Sequence, residues 1–138
     1  MNNIITKENE LRDIFIGLGD DWQEKYGYLI EMGRTLPEYP VEFKKDICVV
    51  RGCQSQVWVN VSMVDGLVKL KVDSDALIVK GLLAIILFLY DNQKPEDIIN
   101  HELKILEDIG LNKHLSPMRQ QGLDAVVNYI RLQIKKNI

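Results

Sequence analysis

The sequence has 138 residues, of which 46% are hydrophobic and 27% charged, and its net charge is −3. This length fits one domain with a single core, spanning residues 1–138, and the composition argues against wholesale disorder. The slightly acidic balance, without a dense block of Lys and Arg, argues against nucleic-acid binding.

Neither the N-terminus nor the longest apolar run suggests a membrane. The first residues lack the basic start and unbroken apolar stretch of a secretory signal. The longest apolar run, residues 81–90, is about half as long as a bilayer span requires. We therefore expect a cytoplasmic protein without membrane association, and a buried helix at 81–90.

Apolar residues at helical spacing predict two helices in the N-terminal part of the chain. The first is expected over about 6–18. The second is expected to begin at Asp21, whose carboxylate suits a helix N-cap. It should end near Leu36, because Pro37 steers the preceding residue out of the helical region.

The pattern then changes to a period of two, which predicts strands. Apolar and polar residues alternate over 57–63 and again over 68–72. Asp65 and Gly66 lie between the two runs and are typical of a tight hairpin turn. A two-stranded sheet is marginal alone, so we expect it to pack on helices or to gain a third strand from 48–50.

Helices are predicted again after the hairpin. Ser74 is expected to cap a helix over 75–91, and Gly81 inside it to permit close packing in the core. Pro95 is expected to begin a short helix and Ser116 to cap the last one. Helices, a hairpin and further helices predict an α+β fold, with helices packed on a small antiparallel sheet.

The chain has two cysteines, Cys48 and Cys53, and two histidines, His101 and His114. Two cysteines are too few for a disulfide scaffold, and a cysteine metal site needs about four ligands or histidines nearby. We therefore expect two free thiols in a reducing compartment and no metal site. Both histidines are expected at the surface or in capping positions.

Cys53 is the candidate for chemistry. Gly52 before it permits backbone angles that a side chain forbids, so a loop can present the thiol to another protein. The nearby cation Arg51 favours the thiolate, which is the nucleophilic form. The alternative is that Cys53 is a small hydrophobic residue in a turn.

Four segments resemble the SufE family of sulfur acceptors. The most specific is GCQSQVWV at 52–59. WQEKYGYLIEMGRTLPE at 22–38, DSDALIVKGLLAII at 73–86 and HLSPMRQQGLDAV at 114–126 are similar to family segments in the same order. The resemblance covers nearly the whole chain, and it implies the family's α+β fold, which is related to that of cluster scaffold proteins.

The resemblance implies a role in sulfur transfer. In the family, a partner cysteine desulfurase (of the SufS or CsdA type) carries pyridoxal phosphate and holds sulfur as a persulfide. The family cysteine, matched by Cys53, accepts that sulfur, stimulates the desulfurase and passes the sulfur to an iron–sulfur cluster assembly scaffold. Supporting or partner-binding roles are implied for Arg119, Arg51, Gly52 and Gln54. The acceptor needs no cofactor of its own.

Position 48 departs from the family, whose members usually carry Asn there. Cys48 is interpreted as a buried strand residue, and the alternative is a resolving thiol that pairs with Cys53 in a switch. A free-standing cysteine enzyme would need a histidine beside Cys53, and a cluster scaffold would need three or four ligands. Lys80 is interpreted as a paired or snorkelling lysine. Trp58, on the outward face of its strand, is expected beneath a helix or on the partner surface.

Overall fold

The computed structural model describes residues 3–44 and 56–137. In chain order the elements are α1 Asn3–Gly17, α2 Trp22–Arg34, a 3₁₀ turn Val41–Phe43, β1 Val57–Val64, β2 Leu67–Ser74, α3 Leu77–Tyr90, α4 Pro95–Ile99, α5 Ile105–Asp108, a second 3₁₀ turn Leu111–His114, and α6 Pro117–Lys136. The predicted α+β class, with helices packed on a small antiparallel sheet, is confirmed.

The hairpin of β1 and β2 forms as predicted. Its antiparallel register runs from Val57 opposite Ser74 to Val64 opposite Leu67. Asp65 and Gly66 both have positive φ, 54° and 79°, which is the backbone of a type I′ turn and matches the right-handed twist of the strands. The alternating apolar side chains of β2 are buried, as are the first two of β1. The possible third strand at 48–50 lies outside the described residues.

The free edge of β2 is covered by the residues that follow α3. The Val68 N–H donates to the Gln93 carbonyl at 2.9 Å, and the Asn92 N–H donates to the Val68 carbonyl at 2.8 Å. The Leu70 N–H donates to Asp91 Oδ1 at 2.8 Å. Pairing these groups removes donors and acceptors that an exposed strand edge would offer to another chain.

Helix α3 lies in the core and packs against α1, α2 and β2. It is buried along most of its length, as its nearly continuous apolar sequence predicts. Gly81 is where α3 meets α2. An added Cβ at this position would lie 2.3 Å from the Leu29 carbonyl oxygen, so the close packing predicted for Gly81 is confirmed.

The helix ends follow the predicted caps in two places. Asp21 caps α2, with its carboxylate accepting from the Gln23 N–H at 3.0 Å. Ser116 caps α6, with its hydroxyl accepting from the Arg119 N–H at 3.2 Å. The short helix at Pro95 is confirmed, whereas α5 was not predicted. Helix α1 begins earlier than predicted, at Asn3.

The prediction that Ser74 caps α3 is wrong. Ser74 is the last residue of β2, and α3 begins at Leu77 after Ala76. The Ser74 hydroxyl donates to the Gln56 carbonyl at 2.8 Å and accepts from the Ala76 N–H at 3.3 Å. Strand pairing with Val57 continues through this residue, and its hydroxyl bonds both across the hairpin and to the residue just before α3.

Candidate functional site

Cys53, Arg51, Gly52, Gln54 and Cys48 all lie outside the described residues. The structure does describe the two residues that flank 45–55, and it shows how each is held. Lys44 precedes this segment and Gln56 follows it. Both are attached to the end of β2, over 73–75. The corner at 73–75 therefore holds both residues that flank the segment carrying the candidate cysteine.

The Gln56 side is held by backbone and side-chain hydrogen bonds. The Gln56 N–H donates to Asp75 Oδ1 at 3.1 Å. The Gln56 carbonyl accepts from the Ser74 hydroxyl at 2.8 Å and from the Asp75 N–H at 3.4 Å. β1 begins at the next residue, Val57, which is fully buried. The chain that leaves the segment is thus fixed before it enters the sheet.

The Lys44 side is held through the lysine side chain. Lys44 Nζ lies 3.0 Å from Asp73 Oδ2 and 4.7 Å above the centroid of the Trp58 ring. The Lys44 N–H also donates to the Val41 carbonyl at 3.0 Å, which closes the 3₁₀ turn. An ammonium over an indole face is attracted by the ring quadrupole. The Lys44 ammonium is therefore held by an ion pair with Asp73 and by a cation–π interaction with Trp58. Trp58, expected beneath a helix or on a partner surface, is half-buried under Lys44.

Two cations surround the Asp73 carboxylate. Lys80 Nζ lies 3.5 Å from Asp73 Oδ1, whereas Lys44 contacts Oδ2, so Lys80 is a paired lysine as predicted. Burial raises the pKa of the Asp73 carboxyl, but hydrogen bonds from Lys44 and from the Ser74 N–H, with the charges of both lysines, outweigh it. They hold that pKa below its ordinary value of 3.8. The carboxylate is therefore charged at neutral pH, and it pairs with both lysines.

Arg119 is exposed in the first turn of α6. Its N–H is bonded to the capping Ser116 hydroxyl, and α6 packs against β1, the strand that follows the candidate segment. A cation near a helix N-terminus gains nothing from the helix dipole. Its placement there is consistent with a use outside the helix, and the role implied by the family resemblance stays a prediction.

The surface or capping position expected for His101 is wrong, because its side chain is buried. The side chain is 8% exposed, with Nε2 lying 3.0 Å from Glu8 Oε1 and Nδ1 lying 2.7 Å from the Tyr90 hydroxyl oxygen. One tautomer satisfies both contacts: Nε2–H donates to the carboxylate and Nδ1 accepts from the hydroxyl. The Arg131 guanidinium donates to the His101 carbonyl. This buried network joins α1, α3 and α6.

The described part of the chain contains neither a metal-binding cluster nor a membrane-spanning helix. Among residues 3–44 and 56–137, no group of three or more His, Cys, Asp or Glu side chains is placed to hold a metal ion. No helix in those ranges is long and apolar enough to cross a bilayer. The side chain of His114 is not among those described.

A comparison with known protein families gives a match over most of the chain. The model of a protein family described as "SufE: Fe-S metabolism associated domain" matches residues 11–134. The chain therefore belongs to the SufE family and is associated with iron–sulfur metabolism.

A solved structure is similar in fold. It is the solution structure of a hypothetical protein from Thermus thermophilus, with a TM-score of 0.78 and 21% sequence identity over 94% of each chain. At that identity the likeness concerns the fold alone, and it agrees with the α+β architecture described above.

Proposed function

We propose that this protein is a sulfur acceptor that takes a persulfide sulfur from a cysteine desulfurase onto Cys53 and passes it to an iron–sulfur cluster assembly scaffold. The observation that carries the proposal is the SufE family match over 11–134, because it includes the GCQSQVW run around Cys53. The attachment of Lys44 and Gln56 to the end of β2 supports it. A protein that presents a thiol to a partner needs the ends of the presenting segment to be fixed.

The transfer step is a thiol–disulfide type exchange without net oxidation. The Cys53 thiolate attacks the outer sulfur of the desulfurase persulfide. A new S–S bond forms to Cys53, the old S–S bond breaks, and the desulfurase cysteine leaves as a thiolate. The accepted sulfur then leaves to the scaffold by a second exchange. Pyridoxal phosphate acts only in the desulfurase, and the acceptor itself supplies no cofactor or metal.

Arg51 favours the reactive form of the Cys53 thiol. It is a cation two residues before Cys53 in the sequence. The corner at 73–75 adds no net positive charge, because Lys44 and Lys80 are balanced there by the carboxylates of Asp73 and Asp75. Nearby cations lower the pKa of a thiol, and the thiolate is the nucleophile in sulfur transfer.

His101 does not suit the role of base in a free-standing cysteine enzyme. Such an enzyme needs a histidine whose ring nitrogen is available to the thiol. Both ring nitrogens of His101 are engaged by Glu8 and Tyr90 in the buried network. His101 is therefore unavailable as a base for Cys53.

The test is the intact mass of the protein after incubation with a cysteine desulfurase, free cysteine and pyridoxal phosphate. The wild-type protein should gain the mass of one sulfur atom, and a reducing thiol should remove it. Cys53→Ser should gain none, because a hydroxyl cannot hold a persulfide. Cys48→Ser should gain sulfur like the wild type.

Two results would contradict these expectations. Sulfur gain or full desulfurase stimulation by Cys53→Ser would overturn the proposal. A loss with Cys48→Ser as complete as with Cys53→Ser, in a folded variant, would mean that both thiols act together.

A further inference from the structure

Asp73 is the residue from which a further role can be inferred. Its side chain is 17% exposed and lies between Lys44 and Lys80. Neither the GCQSQVW motif nor the site residues implied by the family resemblance include it. Its position near the end of β2 has two consequences for the chain that precedes Cys53.

The first consequence follows from the register of the hairpin. Asp73 lies directly opposite Trp58 in the antiparallel pair. Directly opposite residues place their side chains on the same face, with Cβ atoms about 5 Å apart. The Asp73 carboxylate and the Trp58 indole ring therefore lie side by side, and the Lys44 ammonium contacts both.

The second consequence concerns where Lys44 lies in the chain. The 3₁₀ turn Val41–Phe43 ends at Lys44, and 45–55 begins at the next residue. Lys71 Nζ lies 5.6 Å from the centroid of the Phe43 ring, so the turn also contacts the outer face of β2. The Lys44–Asp73 contact fixes the last described point of the chain before Cys53 to the sheet.

Lys80, in the first turn of α3, contacts the other oxygen of the Asp73 carboxylate. A carboxylate with two lysine partners loses less freedom on pairing with either one, because its orientation is already restricted. Asp73 thus connects the start of the candidate segment with both the hairpin and the central helix.

We propose that Asp73 is a positioning residue for sulfur transfer, which holds Lys44 against Trp58 and so fixes the residue after which the segment carrying Cys53 begins. This inference rests on the proposed function. Asp73 acts through Lys44 and does not itself touch the transferred sulfur. Its removal should change the reactivity of Cys53 and the rate of the transfer step, while the fold and the encounter with the desulfurase change little.

The variants are made in a Cys48→Ser background, so that Cys53 is the only thiol. Asp73→Asn removes the charge and keeps the shape, and Lys44→Met removes the ammonium and keeps an unbranched apolar side chain. Asp91→Asn is the matched control. It removes the same charge from a carboxylate that also bonds to β2, through the Leu70 N–H, and an amide oxygen can keep that bond. Thermal melts establish that each variant is folded.

The first readout is the rate at which a small alkylating reagent modifies the fully ionised Cys53 thiolate in the protein alone. This rate is obtained from the pH dependence of the reaction, so that the loss of a nearby cation does not alter it. Asp73→Asn and Lys44→Met should each raise this rate about two- to fivefold, the range expected for one partly exposed ion pair. The double variant should not exceed either single variant, because both changes remove the same contact. Asp91→Asn should react like the background protein. An unchanged or lower rate in Asp73→Asn, or additive effects in the double variant, would overturn the inference.

The second readout is sulfur transfer from a desulfurase at varied concentrations of the acceptor. Asp73→Asn should lower kcat by a similar factor and leave KM nearly unchanged, and Lys44→Arg should retain most of kcat. A rise in KM alone would make Asp73 a docking contact and would overturn the positioning role. If the background protein accepts no sulfur, the proposed function fails, and the alkylation rates still decide whether Asp73 and Lys44 act as one unit.

Discussion

Gly81 in α3 lies directly against the backbone of Leu29 in α2. An added Cβ at position 81 would lie 2.3 Å from the Leu29 carbonyl oxygen and 2.6 Å from its Cγ. The carbonyl belongs to a helix backbone and cannot rotate away as a side chain can. The two helices must therefore separate before any residue other than glycine is accommodated.

Gly81→Ala should consequently destabilise the protein, although alanine is the better helix former. Propensity alone would favour alanine by about 1 kcal/mol. Forcing apart a packed helix pair costs about 1–3 kcal/mol and occasionally more. We expect overpacking to exceed the propensity gain, and urea unfolding of the variant measures the difference.

The matched control is Gly27→Ala in α2. A Cβ at Gly27 would meet no heavy atom within 4 Å, and the residue is exposed. Only the propensity term remains, so this variant should be more stable than the wild type by up to about 1 kcal/mol. If both variants shifted stability in the same direction, the close contact at Gly81 would not be what decides its identity.

Tyr90 should make the fold sensitive to alkali. Burial raises the pKa of its phenol from 10.0 to about 12, although the charge and hydrogen bond of Arg131 act in the opposite direction. The stabilisation by neutral Tyr90 is complete below pH 10.0 and is lost as the pH rises through about 12. This rise of about two pKa units corresponds to about 3 kcal/mol of the free energy of unfolding.

The measurement is urea unfolding of the wild type and of Tyr90→Phe at several pH values up to about 12. The variant should be less stable at neutral pH, because His101 loses a buried hydrogen-bond partner. The stability difference between the two proteins should shrink, or change sign, at alkaline pH, because ionisation of Tyr90 destabilises the wild type. A difference between the two proteins that stays constant with pH would contradict the assignment to Tyr90.

The features predicted well from the sequence are those set by near neighbours. The turn at Asp65 and Gly66 and the caps at Asp21 and Ser116 each depend on residues within a few positions, so their chemistry is readable locally. The cap predicted at Ser74 was wrong because its hydroxyl bonds to a residue far from it in the sequence. It donates to the Gln56 carbonyl across the hairpin, and no pattern around position 74 indicates that partner.

The buried polar network was not predictable for a related reason. Glu8 lies far from Tyr90 and His101 in the sequence, and it meets them only when α1 and α3 pack. One signal was available: a tyrosine at the end of an apolar helix needs a partner for its hydroxyl. The sequence did not indicate which residue supplies it. The contacts of Asp73 with Lys44 and Lys80 depend in the same way on tertiary packing.

Arg119→Ala should weaken sulfur transfer and leave the fold nearly unchanged. The side chain is exposed, and the capping bond at this position uses the backbone N–H, which alanine keeps. Removal of an exposed cation usually shifts stability by less than about 0.5 kcal/mol. Transfer rates and thermal melts on the same variant separate the two effects. Unchanged transfer would reduce Arg119 to a surface charge, and a large loss of stability would show a structural role.

The ion pairs of Asp73 should stabilise the fold only while its carboxyl is ionised. Its pKa is lower in the folded protein than the ordinary value of 3.8, so the stabilisation is complete above about that pH and is lost as the pH falls through the lower folded value. The stability difference between the wild type and Asp73→Asn should therefore be constant from neutral pH down to about pH 5 and should diminish below about pH 4. Asp91→Asn controls for the general loss of negative charge. Urea unfolding of the three proteins across this pH range provides the measurement. If the stability difference between the wild type and Asp73→Asn persists unchanged in acid, the substitution acts through something other than the charge that binds Lys44 and Lys80.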